Sequence, residues 1–476
     1  MKSIFDTLFD RCSKAFKQHR TQCRVKELAY GLLSCTGRAT ITGMLIAVGR
    51  QFMDWTAAYQ IFWGSRMNTD KLFETTTKVC LEQLSPSQLI VAHLDDTVLR
   101  KVGKMIHGTA WRRDPLGPAF HTNFIWAQRF IQISLSLHDP TDLHSQSRAI
   151  AVDFHHSPTV KKMSKNASAE DRCAFRESKK QQNLSRQGLD RIKLLRARLD
   201  TQGASNRQLF LSVDGSYTNA TILKGLPHRV TLIGRVRKDA ILNYLPASEK
   251  TKGRDRKYGD PAPTPEQIRQ SDEFSWQEVS GWAAGKKHTF NVKVIRSLKW
   301  RTAGQGHTFQ LMVIRPLSYR LKNGGKLLYR RPAYLVCSDN DLDMGTLLQA
   351  YLWRWEIEVN FRDEKTTNGC GEAQVRNEIS AVKVPQFVVA MHAYIHLADY
   401  ILKKLKPDMA LPRAKWEQKN IRLRTSTNNI LNNFRGCYVF EKLGKSFSDF
   451  VVKQRQIINA INPIIDALNP VFYIRR

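Results

Sequence analysis

Short apolar runs separated by polar segments predict a mixed α/β protein. Residues 1–87 alternate apolar stretches with polar and basic turns, which favours helices. Gln88–Leu94 has the length and β-branched content of a buried strand, and Asp95 follows it. Leu209–Val213 repeats this pattern and runs into Asp214. The chain therefore carries two predicted strands that each end in a carboxylate.

Strand patterns crowd between about residues 229 and 338, and helical patterns follow them. The polar stretch from Lys250 to Asp272 predicts a loop. One long helix is predicted from about Asp343 to Lys365, and an apolar helix from about 386 to 405, just after Pro385. The remaining residues favour shorter helices joined by polar linkers.

Charge changes this picture most. The 476 residues include 75 Lys and Arg against 42 Asp and Glu, a formal net charge of +33. A protein this basic attracts polyanions, and nucleic acid is favoured over an anionic membrane because the cations run through the whole chain. No apolar run is long enough for a membrane span. The eight cysteines form no CxxC pair, which favours reduced thiols and a cytoplasmic protein.

Two carboxylates at strand ends indicate a site for a divalent metal in a basic protein. Mg²⁺ prefers hard oxygen ligands, and phosphodiester chemistry commonly uses a pair of such ions. Asp at the end of a strand is also a common turn former, so Asp95 and Asp214 alone leave that reading open.

The predicted helix after residue 343 adds a third acidic position. Its residues Tyr351, Arg354, Glu358 and Lys365 fall within an arc of about 60° on a continuous helix. The neighbouring stripe is apolar and should anchor the helix on the sheet; it comprises Ala350, Trp353, Ile357 and Phe361. A carboxylate for metal with cations for phosphate suits a nuclease, whereas a surface salt-bridge ladder is the alternative interpretation.

The spacing Tyr-x2-Arg-x3-Glu-x6-Lys in this helix resembles the signature of the IS4-like superfamily of DDE transposases. Asp95-Asp96-Thr97 resembles the Asp-x-Thr strand end of that family, and Val213–Tyr217 resembles its second Asp site. Lys101 and Lys104 resemble a pattern of the IS701 branch. The resemblance covers about residues 88 to 400.

This resemblance implies a ribonuclease-H-like catalytic core interrupted by a β-rich insertion domain, with helical N- and C-terminal regions. Asp95, Asp214 and Glu358 would form the catalytic, metal-binding triad for Mg²⁺, with Mn²⁺ as a substitute. Asp95 is preferred to Asp96, which should point to the opposite strand face. The DNA-binding residues, which would hold the phosphates of a transposon end, are Tyr351, Arg354 and Lys365.

The implied activity is cutting of transposon ends and their joining to target DNA by a bacterial, nucleoid-associated protein. The implied partners are double-stranded DNA and a second copy of the chain, without a membrane. The implied domains are an end-binding region (1–87), the first core part (88–235), the insertion (236–330), the second core part (331–405) and a C-terminal helical region for dimerisation (406–476). Two rivals stay open, a host nuclease on the same core and a catalytically silent DNA-binding regulator.

Four aromatic residues and a pair of histidines are further candidates for a function. Relatives use an aromatic side chain to stabilise a flipped base, for which this chain offers Trp276, Trp282, Trp300 and Tyr329. A core position is the ordinary alternative for each of them. His392 and His396 are four apart, but Ala393 follows the first, so the general base of a zinc HExxH motif is missing.

Overall fold

A computed structural model provides the structure of the chain. It describes all residues except 115–116, 119, 139–146, 161–162, 165, 247–255, 284, 305, 321–323, 407–424 and 452–476. For residues 442–451 only the backbone is described. Much of the C-terminal region predicted to pair protomers therefore lies outside the described residues.

Helices lie mainly at the two ends of the chain, with strands between them. The helices are α1 Lys2–Asp10, α2 His19–Ser34, α3 Ile41–Ala47, α4 Thr56–Trp63, α5 Thr69–Gln83, α6 Ala169–Gln181, α7 Leu184–Leu199, α8 Ala220–Gly225, α9 Pro265–Gln270, α10 Met344–Leu352, α11 Trp355–Thr366, α12 Glu378–Leu405 and α13 Thr427–Val451. The strands are β1 Ile90–Arg100, β2 Ala110–Arg113, β3 Phe124–His138, β4 Ser147–His156, β5 Leu209–Val213, β6 Val230–Arg235, β7 Asn243–Tyr244, β8 Gln277–Ala283, β9 Lys286–Lys299, β10 Phe309–Ile314, β11 Ser318–Tyr319, β12 Leu328–Tyr329 and β13 Ala333–Cys337.

One large mixed sheet organises the described part of the chain. Its order is β2-β3-β1-β5-β6-β13-β10-β9-β7, with β4 also paired to β3 and β8 to β9. The pairs β1–β5 and β5–β6 are parallel, and the neighbouring pairs β1–β3, β3–β4 and β6–β13 are antiparallel. This mixed α/β architecture is consistent with the fold of a DDE nuclease.

The prediction that the first strand ends at Asp95 is wrong. β1 runs through Asp95 and Asp96 to Arg100, because β3 pairs with it along that whole length. The parallel pairing with β5 does stop at Leu94 and Val213. Asp95 therefore lies inside a strand, at the point where one of its two neighbours ends.

The outer edge of β4 is covered by helices, which satisfies its backbone carbonyls. An uncovered edge would offer unpaired groups to other chains. Side chains from α5, α7, α11 and α12 donate to these carbonyls: Thr76 to Ala151, Arg198 to Val152, Asn360 to Ala149 and Gln386 to Phe154. The same contacts fix α11 against the sheet.

The single long helix predicted from 343 to 365 is two helices, α10 and α11. Trp353 and Arg354 keep right-handed backbone angles between them. There the amide of Arg354 donates to the carbonyl of Tyr351 at 3.1 Å, a bond across three residues instead of four. Tyr351 consequently ends α10, whereas Glu358 and Lys365 belong to α11, so the continuous-helix arc does not apply to all four residues.

The apolar helix predicted after Pro385 begins earlier, at Glu378, and contains the proline. Proline has no amide hydrogen, so the carbonyl of Ala381 loses its usual helical donor. The side-chain amide of Gln128 on β3 donates to that carbonyl at 3.3 Å. This replacement lets α12 continue across Pro385 and ties it to the sheet.

The β-rich segment extends the sheet of the core. β7 to β10 lie beyond β13, which pairs with β6 on one side and β10 on the other. Within the predicted loop 250–272, residues 250–255 lie outside the described part, and α9 forms behind a Thr264 capping box with Pro265 at its start. The division at 236 and 330 stays a prediction.

The N-terminal helices share one apolar core with α12 and the sheet. Phe5, Phe9 and Phe62 are fully buried, and Phe9 and Phe62 meet Tyr394 and Phe387 of α12 edge to face. None of the described helices combines the length and apolar character needed to cross a membrane.

Gly31 provides a test of the packing between α2 and α3. A Cβ at Gly31 would lie 2.1 Å from the backbone oxygen of Met44, whereas one at Gly37 would have no atom within 4 Å. We expect Gly31→Ala to lower the free energy of unfolding by roughly 1–3 kcal/mol through overpacking. Gly37→Ala should change it by less than about 0.5 kcal/mol. Urea unfolding followed by circular dichroism measures both, and equal losses would contradict the packing.

Candidate active site

Asp95 and Asp214 meet on one face of the sheet where parallel pairing ends. The last paired positions are Leu94 and Val213, and both aspartates come directly after them. The neighbouring Ser212 lies on the face covered by α10, since its hydroxyl donates to the carbonyl of Ala350 at 2.8 Å. Side chains alternate along strands, so Asp214 follows Ser212 to this face.

A tight turn holds the Asp214 carboxylate in place. Its Oδ1 accepts the amide and the hydroxyl of Ser216 at 2.9 and 2.6 Å, and the amide of Tyr217 at 3.3 Å. The hydroxyl of Thr218 donates to the Asp214 carbonyl at 2.7 Å. These bonds form an Asx-type turn, which is the structural role that Asp at a strand end ordinarily has. The other carboxylate oxygen is the one left to act in the site.

The surroundings of Asp95 disfavour its charged form. Burial and the nearby negative charge of Asp214 raise its pKa to about 7, although the Arg354 guanidinium partly opposes this rise. Its Oδ1 accepts the amide of Asp96 at 2.8 Å. Two carboxylates placed this close favour a cation between them or a proton on one of them.

Arg354 supplies positive charge between two of the predicted triad members. Its Nη1 donates to Asp95 Oδ2 at 3.1 Å, and its Nη2 donates to Glu358 Oε1 at 2.8 Å. The Tyr351 ring stands beside it, with 5.8 Å between the guanidinium carbon and the ring centroid. The structure thus brings Asp95, Asp214, Arg354, Glu358 and Tyr351 together from β1, β5, α10 and α11.

Asp96 points to the opposite face of β1, as alternation predicts. Its carboxylate pairs with Arg129 at 3.2 Å and accepts the hydroxyl of Tyr217 at 3.2 Å. Burial raises the pKa of Asp96, and the Arg129 charge partly offsets that rise. Arg129 belongs to no motif, and the motif that contains Tyr217 was read only for Asp214, so sequence reasoning missed this second, separate carboxylate site.

His93 is a further residue that the sequence did not single out. It lies two positions before Asp95 on the same face and is fully buried, with its Nε2 2.7 Å from the Ser136 hydroxyl. Burial, together with the charge of Arg354, lowers its pKa to about 3. His93 is therefore neutral at physiological pH and supports the base of the site.

Lys101 fastens the loop after α11 to the end of β1. Lys101 is buried, with 4% of its surface exposed, and its ammonium donates to the carbonyls of Gly371 and Ala373 at 2.9 and 2.8 Å. Burial lowers its pKa to about 8. The lysine that resembles a family pattern thus has a backbone-holding role here.

Lys365 lies farther along α11 than the other signature residues. It follows Glu358 by two turns, which is about 10 Å at the helical rise. Burial lowers its pKa, and the charges of Cys370, Glu364 and Asp114 partly offset that change. It therefore stands at the edge of the site rather than within the Arg354 cluster.

Glu364 is a buried acid behind the site. Its Oε1 accepts the side-chain amide of Gln132 at 3.1 Å, and Gln132 faces Asp95 across β3 and β1. Burial raises the pKa of Glu364 to about 8. The helix that carries Glu358 is thereby joined to the strand pair that carries Asp95.

The donor chemistry of this cluster suits a divalent cation. Carboxylate oxygens are the ligands that Mg²⁺ prefers, and a cation would relieve the repulsion between Asp95 and Asp214. Within the described residues, however, no three His, Cys, Asp or Glu side chains gather closely enough to hold a metal ion. Arg354 lies between Asp95 and Glu358 instead.

Comparison with known protein families identifies the family of the chain. A family model described as DDE superfamily endonuclease matches residues 11–307, more than half of the chain. The chain belongs to this DDE superfamily endonuclease family. The matched segment contains Asp95, Asp96 and Asp214 and ends before α10 and α11. A search of curated proteins found no match.

Membership in this family implies an endonuclease with a DNA substrate, and DDE nucleases generally use divalent metals. The membership agrees with the basic charge of the chain and with the catalytic crevice, the place beyond the parallel pairing of β1 and β5 where Asp95 and Asp214 meet. The IS4-like assignment and the roles of the individual site residues remain predictions.

The aromatic candidates of the endonuclease differ in their surroundings. Trp276 packs against the core and has Lys293 Nζ 4.4 Å from its ring centroid. Trp300 also packs against the core, at 6.3 Å from Phe309. Tyr329 is 66% exposed. Trp282 exchanges backbone hydrogen bonds with the Gln349 side chain.

His392 and His396 belong to a buried network at the back of the endonuclease. His396 Nδ1 lies 3.0 Å from an Arg148 Nη1, and its Nε2 lies 3.2 Å from the Thr427 hydroxyl. Thr427 also donates to Asp363 of α11 at 2.6 Å. These bonds join α12, β4, α13 and α11.

Glu364→Gln tests the buried acid through pH-dependent stability. The folded-state pKa of about 8 is above the ordinary glutamate value of 4.5, so wild-type stability falls as pH rises between these values. We expect Glu364→Gln to be more stable than wild type at pH 9, on the order of a few kcal/mol, and similar at pH 4. Urea titrations at both pH values measure the difference.

The control for this prediction is the same substitution at the exposed Glu177 of α6. Because its side chain is exposed, this substitution should change the free energy of unfolding by less than about 0.5 kcal/mol at either pH value. A Glu364→Gln difference that stays constant with pH would show that Glu364 is not kept protonated by burial.

Proposed function

We propose that this endonuclease is a DNA transposase of the IS4-like superfamily that cuts transposon ends and joins them to target DNA. The observation that carries the proposal is the Arg354 bridge, which joins Asp95 and Glu358 beside Asp214. The signature spacing selected Arg354 and Glu358 as neighbours of Asp95 and Asp214, and the Arg354 contacts with Asp95 and Glu358 support that selection.

Asp95, Asp214 and Glu358 would hold Mg²⁺, with Mn²⁺ as a substitute. When bound, a pair of divalent ions activates the attacking oxygen and stabilises the leaving oxygen at phosphorus. Asp95 must give up any proton on its carboxyl group for this role, because its pKa in the folded chain is about 7.

The cations of α11 would position the DNA backbone. Arg354 presents a planar fork of donors that suits a phosphate in two contacts, and its Asp95 and Glu358 contacts hold that fork at the crevice. Tyr351 steadies the guanidinium through its ring. Lys365 would contact a phosphate about two helical turns away from Glu358.

The first test compares carboxylate-to-amide changes in an excision assay. DNA that flanks the gene is placed around a marker on one plasmid, and the protein is supplied from another. We expect Asp95→Asn, Asp214→Asn and Glu358→Gln each to lower excision by more than about 100-fold, since even outer partners of metal ligands cost 10–100-fold.

Asp96→Asn is the matched control, because it removes the neighbouring charge from the opposite face of β1. We expect it to retain excision within about tenfold of wild type, a smaller loss than for an outer partner of a metal ligand, because its carboxylate contacts Arg129 and Tyr217 on the other face. Excision that survives in Glu358→Gln would refute the triad. Absence of excision from the wild type, with DNA binding intact, would favour a catalytically silent regulator.

The second test measures the phosphate role of Lys365 by salt dependence. The logarithm of the DNA association constant falls by about 0.9 per phosphate contact for each unit of log salt concentration. We expect Lys365→Gln to reduce this slope by about 0.9 and to weaken binding of different sequences equally. Fluorescence anisotropy over a salt series measures the slope. The control is exposed Lys179→Gln on α6, and an equal reduction there would contradict a specific contact.

A further inference from the structure

The hairpin of β2 and β3 carries an exposed aromatic face. Trp111 is 64% exposed and Phe124 is 61% exposed. In the pairing register Trp111 stands opposite Trp126, and Arg113 stands opposite Phe124. Three aromatic rings and one arginine therefore lie side by side on one face of the two strands. Large exposed rings of this kind mark an interaction surface more often than a solvated one.

Contacts behind the hairpin hold its rings in place. The indole nitrogen of Trp126 donates to the Gly103 carbonyl at 3.2 Å, which keeps Trp126 half-buried under the turn after β1. Trp111 meets Trp126 edge to face, with 5.6 Å between ring centroids. Trp111 thus has a fixed position although most of its surface faces solvent.

This aromatic face continues the face of the sheet that carries Asp95. Asp95 pairs with Gln132 of β3, and Trp126 and Phe124 lie an even number of positions from Gln132. Side chains at even spacing share a face. Trp126 is six residues from Gln132, roughly 20 Å along the strand. Between Asp95 and the hairpin this face is covered by α11 and α12, which contact Gln132 and Gln128, so a DNA strand would pass outside these helices to reach the rings.

Cations accompany the rings and connect them to α11. Arg113 and Lys104 are exposed, and Lys104 lies in the turn that covers Trp126. Asp114, the residue after β2, exerts an attractive charge on Lys365 of α11. The hairpin end therefore stands within electrostatic range of the proposed phosphate-binding helix. Rings with an arginine also occur at protein interfaces. The net charge of +33 favours nucleic acid here, because bases stack on rings and phosphates attract the neighbouring cations.

We propose that Trp111, Phe124 and Arg113 form a binding surface for unpaired nucleotides of a DNA strand that leaves the catalytic crevice. The proposal rests on the proposed function for its substrate. Bases within a duplex are already stacked on each other, whereas unpaired bases expose their faces to aromatic side chains. Arg113 binds the backbone phosphates between the stacked bases. The surface therefore distinguishes a frayed or cut end from intact duplex.

Fluorescence anisotropy without divalent metal tests this surface on the full chain. The probes are a blunt duplex and the same duplex with unpaired arms at one end. Wild type should bind the forked probe more tightly. We expect Trp111→Ala with Phe124→Ala to weaken forked-probe binding by at least about tenfold, on the scale of one lost base stack. Blunt-duplex affinity should change by less than about twofold.

Two controls separate ring stacking from general damage. The conservative pair Trp111→Phe with Phe124→Tyr keeps both rings and should keep the forked-probe preference. Tyr244→Ala removes a ring that is 37% exposed on β7, a position with no assigned role in DNA binding, and should leave that preference unchanged. Thermal unfolding of each variant identifies any that fail to fold.

The contrary outcomes are distinct. Equal weakening for both probes, or an unchanged forked-probe preference in the double alanine variant, would overturn the proposal. Unchanged DNA binding with a shift from dimer to monomer in sedimentation would assign the patch to a second copy of the chain and also overturn it. Failure of the proposed function appears separately, as a lack of metal-dependent excision by wild type, because the binding assay requires no cleavage.

Discussion

The end of parallel pairing between β1 and β5 is the constraint on which the rest of the site depends. Beyond Leu94 and Val213 the two strands separate, and Asp95 and Asp214 face the same crevice. Burial, together with repulsion by the like charge of Asp214, raises the pKa of Asp95. The Arg354 guanidinium offsets that repulsion, and its place depends on how α11 is held.

Several independent contacts hold α11 over this crevice. Asn360 donates to the edge of β4, and Glu364 accepts from Gln132 of β3. Lys101 holds the loop that follows the helix through two backbone carbonyls. Thr427 joins Asp363 to the first turn of α13. Because each contact starts from a different element, a shift of α11 would disturb most of the fold.

The sheet gives the endonuclease two sides around one crevice. β3, β4 and the β2 hairpin lie on one side of β1 and β5, and β6, β13 and the strands of the β-rich segment lie on the other. The strands of that segment continue the core sheet, so its buried residues help to support the crevice. Exposed rings lie on both sides, among them Trp111 and Phe124 on one side and Tyr329 on the other.

The sequence by itself determined the residue types and much of their local order. Strand patterns located β5 and the first half of β1, and the Tyr-x2-Arg-x3-Glu-x6-Lys spacing selected residues that the fold does bring to Asp95. Period-two alternation also separated Asp96 from Asp95. These features are local, since they depend on the neighbours of a residue along the chain.

Only the tertiary structure decided the rest, because it depends on partners distant in sequence. β1 continues past Asp95 because β3 pairs with it, and α12 crosses Pro385 because Gln128 takes over a carbonyl. The Arg129 and Tyr217 contacts of Asp96 have no sequence signal. Periodicity could not show that hydrogen bonding changes at Arg354 and divides the predicted helix. Burial, which sets the pKa of Asp95, likewise arises only when separate elements meet.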